Sequence, residues 1–210
     1  MKVAILYKGI FLRQSLEKYS EKNFLVYAKE IINNHKSMLI NSFVEDEVDF
    51  YFSTYKLNEE LDNLYKEELS PKSYSCISNH FYNGCCWNAQ LMHYKNLISI
   101  IKSQSIDYDF FIFTRPDIKF LKKIIDLNVN FSKFNIVHEH PSKNCDDNFW
   151  AFPNVYFDSF EKSINALYSG NRITHEINHE LSKNNVNINY ITPYDFDSKI
   201  LGHNIFEICR

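Results

Sequence analysis

Arg115 and Asp117, one residue apart in the run YDFFIFTRPDIKF, are the side chains of this 210-residue chain whose types and spacing speak most directly of chemistry. An aspartate is a hard oxygen ligand for Mg²⁺ or Mn²⁺, ions that bridge carboxylates to substrate phosphates, and an arginine beside it can grip a phosphate with two parallel hydrogen bonds. Together they suit a pyrophosphate. The same two residues also make an ordinary ion pair that caps a loop, and the tripeptide alone does not choose between these readings.

Three further groups bear on the same chemistry. Asp146 and Asp147 stand immediately before the aromatic run NFWAFP. A carboxylate held there is a candidate general base, Asp147 first and Asp146 second, although adjacent aspartates also serve as plain turn residues. His138, Glu139 and His140 lie close by and invite a zinc reading, but H-x-H followed by D-D matches no structural zinc spacing. Tyr7, Lys8 and Gly9 close the opening apolar run, with Arg13 and Gln14 just beyond, and Thr54 ends a second run, VDFYFST. Arg13 can reach a phosphate or simply be solvated.

The elements that must position these residues follow from periodicity. Tyr108 to Thr114 is apolar or aromatic on both alternating faces, Tyr108, Phe110 and Ile112 on one and Phe111 and Phe113 on the other, which predicts a strand covered on both sides. Pro116 lacks an amide donor and biases Arg115 toward extended geometry, so regular pairing should end there. Arg115 and Asp117 then sit beyond the carboxyl end of a central strand, where open α/β sheets bind ligands. Lys2 to Lys8 and Val48 to Thr54 read as the first and second parallel strands. Helical spacing over Val26–Phe43, Leu57–Leu69 and Asn88–Gln104 supplies the crossovers, the second stopped by Pro71. Tyr74 to Trp87 reads as an aromatic loop with a short strand. Val155–Leu167 and Ile173–Leu181 read as two late helices, and Val186–Ile191 as a possible edge strand. The alternation predicts a doubly wound α/β fold with a mostly parallel central sheet and helices on both faces, in one domain spanning 1–210.

Composition excludes several function classes. A net charge of −3 and a pI near 6.2 give no overall basic field, which argues against a nucleic-acid partner. Four glycines are too few, and too scattered, for a dinucleotide fingerprint or a phosphate-cradling P-loop. Phosphates would have to be held by side chains or a metal. Five cysteines without a C-x-x-C pair read as reduced thiols of a cytoplasmic protein. No run approaches a membrane span, so any membrane contact is expected to be peripheral.

With these pieces placed, the chain resembles nucleotide-sugar glycosyltransferases of the GT-A fold, of the small type that assembles capsule, lipopolysaccharide or other surface glycans. The resemblance rests on KVAILYKGIFLR, VDFYFSTYK, the helix leading into YDFFIFTRPDIKF, and DDNFWAFP followed by a helix. It implies a nucleotide-sugar donor, a glycan or lipid-linked acceptor, and a donor site built from Tyr7, Lys8, Gly9, Arg13, Thr54, Arg115 and Asp117. It implies Mn²⁺ or Mg²⁺ on Asp117, with His203 of LGHNI as a second ligand, and an acidic pair on the acceptor side. Arg115 stands where the first carboxylate of a D-x-D motif would be, so the arginine itself is an alternative neutraliser of the diphosphate. Two other readings use the same residues: a non-catalytic nucleotide- or glycan-binding component, and a metal-dependent phosphohydrolase.

Overall fold

A computed structural model of the chain describes residues 1–9, 21–43, 45–55, 59–77, 86–195 and 204–209. Nine strands occur among the described residues: Lys2–Lys8 (β1), Glu47–Tyr55 (β2), Ser73–Ile77 (β3), Phe110–Thr114 (β4), Ile118–Phe120 (β5), Phe134–Ile136 (β6), Phe149–Pro153 (β7), Ile188–Tyr190 (β8) and Phe206–Ile208 (β9). The helices are Glu21–Met38 (α1), Glu59–Leu69 (α2), Cys86–Ser103 (α3), Phe157–Ser169 (α4) and Ile177–Lys183 (α5).

Seven of the strands form one sheet in the order β3-β2-β1-β4-β7-β6-β8, and β5 pairs with β9 in a separate ribbon. β1 and β4 lie at its centre, where a strand has no water-facing side, and every residue from Val3 to Lys8 and from Phe110 to Thr114 is buried. β1 runs parallel to β2 and β4, whereas β7 runs antiparallel to both β4 and β6. Among the described strands of this sheet β7 alone is reversed, so the sheet is mostly parallel, as the sequence predicts. β8 is an edge strand, also as expected.

Period-two alternation divides the core between the two faces. Val3, Ile5 and Tyr7 pack with Ile31 and Ile32 of α1 and Tyr65 of α2, while Ala4 and Leu6 pack with Leu91 and Leu97 of α3 and Phe160 of α4. Helices thus cover both faces. An aromatic stack crosses three strands on the second face, with Phe113 and Phe134 lying 5.8 and 4.5 Å from Phe152, both within 10° of parallel.

Some boundaries move. β4 begins at Phe110, so Tyr108 escapes the strand's alternation and joins the Phe111–Phe113 face, donating its hydroxyl to Asp49 at 2.6 Å. The first helix ends at Met38 and continues as a 3₁₀ turn over Ile40–Phe43. The last predicted helix divides into a 3₁₀ turn at Thr174–Glu176 and α5, which starts only at Ile177. That division matters for the site.

Candidate functional site

Strand register gathers the site. Tyr7 is level with Thr114, Lys8 with Ser53, and Thr114 with Phe149, so the exits of β1, β2 and β4 and the entrance of the reversed β7 meet on one edge of the sheet. Lys8, Arg115, Asp117, Asp146 and Asp147 converge there. Gly9 turns the chain out of β1 with φ at 93°, a left-handed conformation that costs glycine little, and its N–H donates to the Ser53 carbonyl at 3.0 Å.

Arg115 and Asp117 form a forked ion pair. Nε donates to Oδ1 at 2.8 Å and Nη2 to Oδ2 at 2.6 Å, while Nη1 reaches the Asn148 side-chain oxygen at 3.3 Å. The Asp117 side chain is only 1% exposed against 22% for Arg115, so the carboxylate is the buried support and the guanidinium the presented group. The intervening peptide is fastened on both sides: Tyr65 donates its hydroxyl to the Pro116 carbonyl at 3.1 Å, and the Cys209 amide donates to the Asp117 carbonyl at 2.7 Å. The Asp117 carboxylate is engaged by Arg115. Both its oxygens already accept from a cation, and among the described residues no three His, Cys, Asp or Glu side chains are grouped to hold a metal. The structure places Asp117 where it holds Arg115.

The acidic pair is set apart by environment. Burial opposes the charge of Asp147, but Lys8, His175, the Thr174 hydroxyl and Arg115 outweigh it and bring the carboxyl down to about 2. Thr174 donates to its Oδ2 at 2.6 Å, the Lys8 ammonium lies 3.9 Å from that oxygen, and His175 Nε2 lies 3.8 Å from Oδ1. Burial and the charge of Asp147 push Asp146 the other way, up to about 6, against hydrogen bonds from the Asn148 backbone at 2.9 Å and side chain at 2.7 Å. Two neighbouring carboxyls driven in opposite directions are a common mark of divided roles in a site. Lys8, buried and lying over the Tyr94 ring at 4.7 Å, is brought down to about 8 by burial, against the pull of Asp147.

The sign for stability follows from the raised value at Asp146. An acid whose folded pKa exceeds its ordinary 3.8 stabilises the fold while protonated and loses that contribution as pH rises through about 6. Asp146→Asn should therefore gain stability relative to the parent between pH 4 and pH 7, which urea unfolding at the two pH values measures. An unchanged difference would remove the strain assigned to the pair.

The backbone of the pair is also held. Trp150 Nε1 donates to the Asp146 carbonyl at 2.8 Å and the Tyr94 hydroxyl to the Asp147 carbonyl at 3.1 Å, with the two rings stacked 4.7 Å apart.

Two residues expected at the donor site point elsewhere. Tyr7 is fully buried on the face opposite Lys8, its hydroxyl 3.0 Å from His35 Nδ1, and His35 Nε2 in turn donates to the Ile118 carbonyl at 2.6 Å. Thr54 shares the Tyr7 face and is 1% exposed. Its neighbour Ser53 faces the Lys8 side instead, hydrogen-bonded at 2.9 Å to both His93 Nδ1 and the Asn96 amide. Arg13 and His203 lie outside the described residues, as do residues 78–85 of the aromatic loop expected over Tyr74 to Trp87, whose first part is β3 and whose end opens α3. Tyr94, Asn148, Thr174 and His175 are additions that the sequence gave no reason to group. A groove of about 360 Å³ between α3 and α4 is a poorer candidate, because its one acid, Glu161, is paired with Lys102.

No protein-family model matches the chain, and no curated protein matches it. Among solved structures, the nucleoside-diphosphate-sugar pyrophosphorylase from Vibrio cholerae RC9 is similar, with a TM-score of 0.52 at 13% identity over 92% of each chain. Identity that low makes this a likeness of fold. The chain has a Rossmann-like, GT-A-like α/β architecture with a mostly parallel sheet and helices on both faces.

Proposed function

We propose that this chain is a glycosyltransferase that takes a sugar from a nucleotide-sugar donor to a glycan or lipid-linked acceptor. The observation that carries the reading is the convergence of two cations, Lys8 and Arg115, with an acidic pair at the carboxyl edge of the sheet. Transfer expels a nucleoside diphosphate, and cations fixed where that negative charge develops lower the barrier. Arg115, held by Asp117, meets the diphosphate already oriented. Lys8 supplies a second, desolvated charge. The acidic pair belongs to the acceptor side, where a hydroxyl must lose its proton.

The name of the Vibrio cholerae neighbour supports nucleotide-sugar chemistry in this architecture and favours a second reading, nucleotidyl transfer from a nucleoside triphosphate to a sugar phosphate. Among the described residues no helix is long and apolar enough to cross a membrane.

The test is a panel of nucleotide sugars screened by thermal shift, followed by product analysis with candidate acceptors, each with Mn²⁺ and with EDTA. Glycosyl transfer predicts nucleoside diphosphate released only when acceptor is present, and donor affinity that survives EDTA because Arg115 and Lys8 carry the charge. Pyrophosphate released from a triphosphate would establish the nucleotidyl reading. Release without acceptor would point to a phosphohydrolase, and binding without turnover to a non-catalytic component.

A further inference from the structure

The Thr174–Glu176 turn brings a histidine to the acidic pair from 28 to 29 residues away in sequence, and Asp147 is badly placed to be the base itself. Its side chain is 4% exposed, one oxygen takes the Thr174 hydroxyl, and Lys8 and His175 lie beside the carboxylate. A carboxylate so stabilised takes up a proton reluctantly. His175, beside the same carboxylate, has 39% of its side chain exposed.

His175 is also held in one orientation. The Cys145 amide donates to the His175 carbonyl at 2.8 Å, and His175 Nδ1 donates back to the Cys145 carbonyl at 2.8 Å, a reciprocal pair across the residue that precedes Asp146. A carbonyl only accepts, so the hydrogen bond places the proton of the neutral ring on Nδ1 and leaves the lone pair on Nε2. Arg172, bonded to Glu176 at 2.6 Å and to Glu180, ties the turn to α5.

Resting on the glycosyltransferase reading, we propose that His175 is the catalytic base and that Asp147 is the residue that balances its charge. In that step the acceptor O–H bond breaks and its proton passes to His175 Nε2, while the oxygen's electron pair forms the bond to the anomeric carbon. The bond from that carbon to the diphosphate breaks, and its electron pair leaves with the nucleoside diphosphate at Lys8 and Arg115. The new imidazolium is formed 3.8 Å from a carboxylate whose other oxygen is already fixed, so its charge is met without reorganisation. Single displacement inverts the anomeric configuration.

Two measurements decide. The first needs no substrate: ring ¹⁵N NMR of the full-length parent should show His175 as the Nδ1–H tautomer in its neutral form, and an Nε2–H ring overturns the assignment. The second is kinetic. His175→Gln should lower kcat about 100-fold or more with donor KM unchanged, and imidazole in solution should restore part of the turnover in His175→Ala. A His175→Gln enzyme with parental kcat overturns the proposal, as does a product of retained configuration. A parent that transfers to no acceptor removes the transferase reading and the proton step together. A parent that transfers normally while His175→Gln matches it removes only the base.

Discussion

Arg115→Ala is expected to destabilise the fold by about 3–5 kcal/mol, because it leaves the Asp117 carboxylate buried without the two N–H groups that compensate it. The side chain is 1% exposed and both oxygens are spent on Arg115, so water cannot readily take the arginine's place. A double variant, Arg115→Met with Asp117→Asn, should recover most of that loss, since removing both partners of a buried pair is often nearly neutral. It should not recover ligand binding. A charge-assisted contact to the diphosphate is worth about 1.5–3 kcal/mol, so nucleoside diphosphate should bind roughly ten- to a hundred-fold more weakly. Urea unfolding and calorimetry on the single and double variants separate the two effects. A double variant that binds like the parent would return Arg115 and Asp117 to the role of a loop cap.

The second large effect is expected at Asp147. Asp147→Asn keeps the shape and an acceptor for the Thr174 hydroxyl but removes the charge that Lys8 and His175 face. Turnover should fall about 100- to 1,000-fold, the range of a lost electrostatic contact in the transition state, because the imidazolium formed at His175 loses the carboxylate that faces it. Donor affinity should hold, because the cations that meet the diphosphate remain. Loss of donor binding with chemistry intact in the bound fraction would place the acidic pair on the diphosphate instead.

The central strand was legible because its two-sided apolar pattern and Pro116 mark both its burial and its end, and the structure confirms a fully buried β4 from Phe110 to Thr114. The meeting of Lys8 with Arg115 follows from the same logic, since parallel strands joined by helices finish on one edge. What alternation also held, and the grouping by sequence missed, is that adjacent residues of a strand face opposite ways. Tyr7 therefore serves the α1 side and His35, and Ser53 rather than Thr54 shares the face of Lys8. The reversal of β7 had no local signature, because FWAFP reads alike in either direction. It is nevertheless what brings Asp146 and Asp147, which precede the strand, to the edge that β4 leaves. Thr174 and His175 were read as part of a helix, and only a tertiary contact tells that the turn docks on Cys145 and Asp147.

The account turns on a desolvated cationic edge that recognises a diphosphate, and calorimetry at pH 8 tests it most directly. Nucleoside diphosphate and the matching nucleoside would be titrated into the parent and into Lys8→Met, in two buffers that differ in ionisation enthalpy. Lys8 is brought down to about 8 by burial, so near that pH part of its population is neutral, and an anion that draws it back to the ammonium form takes up protons from the buffer. The account predicts that the diphosphate binds far more tightly than the nucleoside and with net proton uptake, and that Lys8→Met loses the uptake and much of the affinity. Equal affinity for diphosphate and nucleoside, or a Lys8→Met variant that binds with the same uptake as the parent, would contradict it.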